Sequence, residues 1–344
     1  MLAITSTAVC LLGFLAIGVL AAAGLTAESG TTARWAGWIF ISVGLALVAI
    51  PMLFAARGFQ QSMHAAKLVQ QEEVLQARVA ASRSRELSLT ALGLLVAVTV
   101  VTAFFLLLVN NDASVQRTFL RWDIIESTTW IVTKAFGLNV FIAVMAEVIV
   151  LVLGLALAVA RMLPGRAGTP IRWLAIAYVD VMRAVPAIIV IYLVGFGLPL
   201  AGIPVLKDFS PTWFAIIALA LTYSAYVAEI YRAGIDSIHA SQFSASRSLG
   251  FSFAQTMRLV VLPQAVRIVI PPLLSMFIGL QKDTALVNVI GATDAFNQAK
   301  YVSATQYNLS AVTIVAALFV IVTIPQTRLV DWWLERSKRA RGGF

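Results

Sequence analysis

Long apolar runs separated by short polar segments make up most of this chain. Eight runs of about 20 residues are each near the length that a helix needs to cross a lipid bilayer. They lie at 2–24, 35–56, 87–109, 136–160, 178–200, 212–230, 264–281 and 308–326. The pattern predicts an all-α, polytopic membrane protein with about eight transmembrane helices.

The first run, at 2–24, is predicted to be a retained helix. No Lys or Arg precedes it, and its apolar stretch is long, whereas a cleavable signal peptide has a positive start and a shorter apolar core. Cleavage of this segment is the alternative.

The polar segment at 57–86 carries five basic and three acidic residues, and its apolar residues recur at approximately helical spacing. This pattern predicts a cytosolic amphipathic linker. Such a segment either lies against the membrane or a partner protein, or is simply solvated.

Composition and charge agree with a membrane protein. Hydrophobic residues make up 60% of the chain and charged residues 12%, with a mean hydropathy of +0.90, far from the values of soluble domains. The net charge of +9 does not indicate nucleic-acid binding, because the basic residues lie in loops beside apolar runs. With both termini in the cytosol, 18 of the 25 Lys and Arg residues fall on the cytosolic side, as the positive-inside rule requires.

The chain offers few residues for metal, redox or phosphate chemistry. Cys10 is the single cysteine and lies in an apolar run, and the two histidines, His64 and His239, are widely separated, so no metal centre is predicted. No Lys follows a Gly, so the chain has no Gly-Lys-Ser/Thr phosphate loop. We expect the chain to bind no cofactor itself, and any ATP used in transport must be bound by another chain.

The loop at 231–263 is predicted to contain a short capped helix. Ser241 is a suitable N-cap, and Gly250 suits the C′ position, where a left-handed conformation is needed. The few apolar residues of this helix, Phe243, Leu249 and Phe251, are expected to be exposed. A helix of this kind is either a docking element or part of an ordinary interhelical loop.

The same loop carries a recognisable spacing. Gly250, nine intervening residues, Val260, one residue, Leu262 and Pro263 match the cytoplasmic loop signature of ABC importer permeases. The flanking stretches AEIYRAGI, LPQAVRIVIPP and LQKDTAL resemble the polar amino acid branch of that family, which includes histidine, glutamine, glutamate and arginine permeases. The resemblance runs from about Phe136 to the C-terminus.

The resemblance implies a type I ABC importer permease core of five helices at 136–327, preceded by an N-terminal extension. The extension is expected to comprise an accessory transmembrane hairpin at 1–56, the linker at 57–86, and a further transmembrane helix with an extracytoplasmic segment at 87–135. A basic cytosolic tail follows at 328–344.

In that family, the cytoplasmic loop forms a coupling helix that sits in a groove of the ATP-binding subunit. The resemblance therefore implies coupling contacts from Ser241, Phe243, Ser244, Ala245, Ser246, Leu249, Gly250, Phe251 and Pro263. It also implies alternating access in the bacterial cytoplasmic membrane, with a polar amino acid as solute. The implied partners are an ATPase subunit that holds ATP and Mg, a second permease chain, identical or not, an extracytoplasmic solute-binding protein and membrane lipid.

Two positions depart from the family pattern. Ser244, Ala245 and Ser246 stand where the family usually has Glu-Ala-Ala, and Ser275 stands where an Asn is common. A Glu at position 244 would close a capping box with Ser241, so its absence is expected to weaken the helix by a few tenths of a kcal/mol.

Near the predicted cytosolic boundary are two pairs of one acidic and one basic residue, and the members of each pair are three residues apart. Asp180 with Arg183, and Glu229 with Arg232, each share a helix face and are expected to pair. They are interpreted as gate or hinge ion pairs, because such pairs can distinguish two packed states. Static boundary salt bridges are the alternative.

Four further residues are candidates for the solute pathway. Glu147 lies midway along an apolar run, where an ionisable group needs a partner or an aqueous path. Lys282, Asp283 and Thr284 follow another run, and they either order a turn or contact a zwitterionic solute.

An ion-coupled secondary carrier or channel is the alternative function. Carriers often show inverted repeats, broken helices and several intramembrane charges. Here no convincing repeat is visible, and Glu147 is the clearest intramembrane charge. A membrane-embedded enzyme would need a metal cluster, a nucleophile with its base, or paired acids, and the sequence shows none of these.

Overall fold

The computed structural model of the protein describes residues 31–109, 114–163, 165–206 and 209–341. Every regular element within these ranges is helical, as the apolar runs predict. The chain divides into two compact units after Arg117. The predicted helix at 2–24 lies outside the described residues.

The α-helices are α1 (Thr31–Gln70), α2 (Val74–Val109), α3 (Ser114–Phe119), α4 (Trp122–Arg161), α5 (Thr169–Ala184), α6 (Ala187–Tyr192), α7 (Leu198–Leu200), α8 (Pro211–Asp236), α9 (Ala240–Ser248), α10 (Phe253–Thr256), α11 (Leu262–Asp283), α12 (Ala295–Gln306) and α13 (Ser310–Arg341). Two π-helical turns, Leu193–Gly197 and Met257–Val261, and a 3₁₀ helix, Thr284–Ile290, complete the set in the described ranges.

In the first unit, α1 and α2 form a helical hairpin that packs along small side chains. The residues buried between the two helices are Ala55, Ala65, Leu68, Ala77, Ala80, Ala91 and Leu95. Small residues allow two helices to approach closely. The helices approach closely at Gly58, where a Cβ would lie 3.3 Å from Ser84 O, and the Gly58 carbonyl oxygen accepts a hydrogen bond from Ser84 Oγ (2.8 Å).

In the second unit, α8 is the central helix. In its most apolar stretch, 67% of the residues are buried, against 22% to 28% in the other candidate spans of the described ranges. It packs against α4, α5, α6 and α11 around core residues such as Ile142, Leu219 and Leu280. The outer face of α4 leaves Val148, Val152 and Val159 exposed, as is typical of a lipid-facing surface.

Five helical segments of the described residues are long and apolar enough to cross a membrane. A sixth candidate is a broken pair, α5 followed by 187–200, which bends by 105°. The bend occurs at Val185 and Pro186. Val185 is extended because the helical conformation is disfavoured for a residue that precedes proline. The sequence pattern predicted one continuous span at 178–200, and the total of eight spans stays a prediction.

The segment divisions predicted at 56/57, 86/87, 135/136 and 327/328 fall within helices, whereas the predicted run at 87–109 ends with α2 at Val109. Helix α1 continues through residue 57, α2 through 87, α4 through 136 and α13 through 328. A change from apolar to polar sequence indicates where a helix changes environment, and the helix itself continues because its backbone hydrogen bonds do not depend on that change.

Candidate functional site

The loop at 231–263 contains the predicted short helix, α9, but its start differs from the prediction. His239, and not Ser241, is the N-cap: the imidazole Nδ1 accepts a hydrogen bond from Ser241 N (3.2 Å). Ser241 is the second helical residue, and its Oγ lies 2.7 Å from the same Nδ1. Position 244 is therefore not the third helical residue, and the expected capping-box argument does not apply there. A capping box is present at Ser252 and Gln255, which begin α10.

The end of α9 has the predicted geometry. Gly250 has a φ of 82°. The Gly250 N–H donates to Arg247 O (3.0 Å) and the Phe251 N–H donates to Ser246 O (3.1 Å), which is the Schellman pattern. A Cβ at Gly250 would meet no atom within 4 Å. The glycine is therefore required for its backbone conformation and not for space.

The side chains of the loop divide into an inner and an outer group. Ser246 is buried and bonds to Thr256 Oγ1 (3.1 Å), and Phe243 is half-buried against Ile238 and Val261. Phe243 is therefore less exposed than predicted, and both side chains hold α9 to the following helices. The outer group is defined by exposure and named here the α9 face: Ser241, Ser244, Ala245 and Leu249 of α9 and its C-cap, Phe253 at the start of α10, and Pro263 at the start of α11. Leu249 is 76% exposed and Phe253 61%.

Phe253 was missed by the sequence analysis, which named Phe243, Leu249 and Phe251 as the apolar residues of the short helix. The sequence did offer a signal for Phe253: it directly follows Ser252, a residue type that favours the N-cap, and is therefore expected to begin a helix. Phe251 itself is half-buried.

Near the same end of the bundle, three guanidinium groups converge on Glu229. Arg232 Nε donates to Glu229 Oε2 (2.8 Å), while Arg161 Nη1 and Arg183 Nη1 lie 3.0 Å and 3.4 Å from Glu229 Oε1. Arg232 also bonds Asp236 (2.8 Å). The predicted Glu229–Arg232 pair is thus part of a cluster that joins α4, α5 and α8.

The predicted Asp180–Arg183 pair is absent. Asp180 is exposed on α5 and makes no ion pair within the described ranges, whereas Arg183 turns toward Glu229 of α8. A residue spacing of three permits a contact along one helix, but Arg183 instead reaches the carboxylate of a neighbouring helix, 3.4 Å away.

A cavity of about 390 Å³ lies between α5, α8 and α11. Its polar lining consists of Arg183, Thr222, Tyr223, Tyr226 and Asp283, and its apolar lining of Ala184, Val185, Pro186, Ala187 and Met276. The Tyr223 hydroxyl donates to Asp283 Oδ2 (2.9 Å). One cavity therefore presents a cation, a carboxylate and aromatic hydroxyl groups.

The other pathway candidates lie outside this cavity lining. Lys282 is exposed, and Thr284 is fully buried and hydrogen-bonded to Asn139 (3.2 Å). Glu147 is half-buried in α4, and its Oε2 is buried without a hydrogen-bond partner. Within the described part of the chain, no group of three His, Cys, Asp or Glu residues is arranged to hold a metal ion.

Residues 151–340 match the model of a family described as the inner membrane component of binding-protein-dependent transport systems. The match covers more than half of the chain. The chain belongs to this family. The match includes α9, the Glu229 cluster and the whole cavity lining, and it supports a transporter permease over the ion carrier or channel considered as the alternative.

Individual relatives agree with this assignment. The permease is 38% identical over 190 residues to a probable glutamine ABC transporter permease of Bacillus subtilis (strain 168), over 55% of this chain and 85% of the relative. It is 33% identical over 210 residues to an arginine transport system permease of the same organism, over 61% and 93%. It also resembles a chain in the crystal structure of an amino acid ABC transporter with histidines (TM-score 0.58, 30% identity, 63% of this chain and 99% of that chain).

Proposed function

We propose that the permease translocates a polar amino acid as the membrane-spanning subunit of an ATP-driven ABC importer. Its relatives are named as permeases for glutamine and arginine, which supports this solute class. ATP and Mg are held by separate ATPase subunits, and an extracytoplasmic solute-binding protein delivers the amino acid. The permease pairs with a second permease chain and alternates between two packed states.

The α9 face is the coupling surface for the ATPase subunit in this proposal. Its support is the exposure of Leu249 and Phe253 on a short, doubly capped helix, because exposed apolar side chains on a rigid element are typical of a protein interface. Phe243 and Ser246 transmit the motion inward, since they pack α9 onto the bundle. The topology that follows has α9 and both chain termini in the cytosol and α12 on the outside.

The cavity between α5, α8 and α11 is the proposed solute site, and its charge pattern is the observation that carries the proposal. A zwitterionic amino acid needs a cation for its carboxylate and an anion for its ammonium group. Arg183 and Asp283 supply both within one cavity. Arg183 can bind the carboxylate of the solute because Glu229 already has two nearer guanidinium partners, Arg161 and Arg232.

The Glu229 cluster is the proposed gate beside this site. Movement of α4, α5 or α8 must rearrange the cluster, because it joins all three helices. Arg183 belongs to both the cluster and the cavity, so solute binding and the state of the gate are coupled through it.

The test is uptake of the twenty radiolabelled amino acids into proteoliposomes that contain the permease, its ATPase subunit and its solute-binding protein. We expect ATP-dependent uptake of one or a few polar amino acids, and a loss of uptake in Asp283→Asn. The matched control is Asp180→Asn, which removes an exposed carboxylate from α5 and should leave uptake unchanged. Uptake by the permease without the ATPase subunit would support the carrier alternative instead.

A further inference from the structure

Three fully buried polar side chains form a hydrogen-bond node, defined as Asn139, Thr284 and Asp294, in the second unit. Asn139 Nδ2 donates to Asp294 Oδ2 (2.9 Å) and to Thr284 Oγ1 (3.2 Å). Asn139 Oδ1 accepts from Ala295 N (3.0 Å). One amide side chain of α4 therefore holds the end of α11 and the start of α12 together.

Asp294 is the N-cap of α12. Its Oδ1 accepts from Asn297 N (2.9 Å), so its two oxygens serve α12 and Asn139 separately. Burial raises the pKa of Asp294 from its ordinary value, and the hydrogen bonds from Asn139 and the backbone oppose that rise. A carboxyl group with no exposed area is costly unless its hydrogen bonds are made, so the node depends on the donor that Asn139 provides.

The node adjoins the cavity through the chain itself. Thr284 directly follows Asp283, at the junction where α11 ends and the 3₁₀ helix begins. Thr284 Oγ1 also donates to Gln281 O (2.7 Å), which fixes the last turn of α11. Two contacts therefore fix the position of Asp283. Tyr223 donates to its carboxylate, and Thr284, the next residue, anchors the backbone through its bonds to Asn139 and Gln281.

We propose that Asn139 is a positioning residue, which through the node holds the Asp283 carboxylate in the cavity and ties that carboxylate to α12. This inference rests on the proposed function in one respect, the assignment of Asp283 as a solute contact. Because α12 follows Asp294 directly, a displacement of α12 on the outside is transmitted to Asp283 through Asn139 and Thr284.

The test compares two variants in the assembled transporter. Asn139→Leu removes the amide and keeps the branched shape of the side chain. The double variant Asn139→Asp with Asp294→Asn reverses the donor and acceptor, since an amide at 294 can donate to a carboxylate at 139. In that double variant, the backbone bonds from Ala295 N and Asn297 N still meet oxygen acceptors. The Thr284 hydroxyl, which accepts from Asn139 and donates to Gln281 O in the wild type, must turn to donate to the carboxylate at 139 to keep that link.

Two readouts are measured: hydrogen exchange at the backbone amides of 284–290, and the half-saturating concentration of whichever of the twenty labelled amino acids is taken up fastest. We expect Asn139→Leu to raise the exchange and to raise half-saturation about tenfold, with solute-free ATP hydrolysis unchanged. The double variant should restore both values. A merely structural role would lower the amount of active transporter without moving half-saturation.

The matched control is Asn288→Leu. Asn288 makes one local bond, to Ala285 O (2.6 Å), within the same 3₁₀ helix and does not contact the node. Its half-saturation should equal that of the wild type.

The inference is wrong if hydrogen exchange at 284–290 is unchanged in Asn139→Leu. It is also wrong if the exchange rises but the half-saturating concentration of the amino acid does not change. If Asn139→Leu does not assemble, the double variant decides: wild-type values support the inference and a shift in either contradicts it. A wild-type transporter that moves none of the twenty amino acids contradicts the proposed function instead, and the exchange measurement still decides whether the node holds Asp283.

Discussion

Gly250 ends α9 in a left-handed backbone conformation. Because a Cβ there would meet no atom within 4 Å, a substitution at this position acts through the backbone conformation and not through steric clashes. A β-branched residue there costs about 1–2 kcal/mol, whereas Asn tolerates this conformation. We expect Gly250→Val to weaken binding of the ATPase subunit and Gly250→Asn to remain near the wild type, measured by titrating the ATPase subunit onto the permease in nanodiscs. Equal affinities for the two variants would show that the helix end does not matter for docking.

Leu249 and Phe243 provide a second contrast on the same helix. Leu249 is exposed, so Leu249→Ala should weaken ATPase binding and leave the thermal unfolding midpoint of the permease unchanged. Phe243 packs against Ile238 and Val261, so Phe243→Ala should lower the unfolding midpoint. The interpretation fails if Leu249→Ala destabilises the permease without affecting the interaction.

Sequence spacing predicted local features better than contacts between distant segments. The Gly250 cap and the Glu229–Arg232 pair follow from neighbouring residues. The N-cap was assigned to Ser241 because Ser is a preferred cap, whereas imidazole caps are uncommon. Asn139 gave no signal, since its partners Thr284 and Asp294 lie about 150 residues further along the chain.

At the scale of elements, the Glu229 cluster joins α4, α5 and α8. Glu229 and Arg161 are mostly buried, with side-chain exposures of 21% and 12%. Removing one partner of a buried ion pair leaves uncompensated charge, so Glu229→Gln should destabilise the permease by on the order of 3 kcal/mol. Thermal unfolding of the purified permease measures this.

The control for that experiment is Glu126→Gln on α4, the same substitution at an exposed residue. Its expected effect is within about 0.5 kcal/mol. If both variants unfold alike, the cluster contributes nothing specific to the stability of the second unit.

The helices were predictable as apolar runs, and the ends at Val109 and Leu200 agree with the run ends, but the continuation of α1 and α2 into polar sequence and the break at Val185–Pro186 were not predicted. A run of apolar residues reports the lipid environment, so α1 and α2 pass the predicted boundaries at 56 and 86 unchanged. Pro186 was visible in the sequence and favours an extended Val185, but the size of the bend, 105°, is known only from the structure, in which 187–200 packs against α8.

At the scale of the whole molecule, the family match begins at residue 151, within the second unit, and the α1–α2 hairpin lies outside it. Each unit has its own buried cluster. A chain that starts at Thr118 should therefore fold and unfold within about 4 °C of the full chain, the shift expected for roughly 1 kcal/mol. Loss of folding on truncation would show that the second unit depends on the hairpin.

In the proposed mechanism, α9 is the element through which a separate ATPase subunit acts on the solute cavity. The most direct measurement is site-specific cross-linking in native membranes, with Cys10 replaced by Ser and one new cysteine introduced. Leu249→Cys should cross-link to the ATPase subunit and resist a membrane-impermeant maleimide added outside. Tyr307→Cys, 95% exposed beyond α12, should react with that maleimide and give no cross-link. Labelling of Leu249→Cys from the outside, without an ATPase adduct, would show that α9 lies outside the cell and does not contact the ATPase subunit.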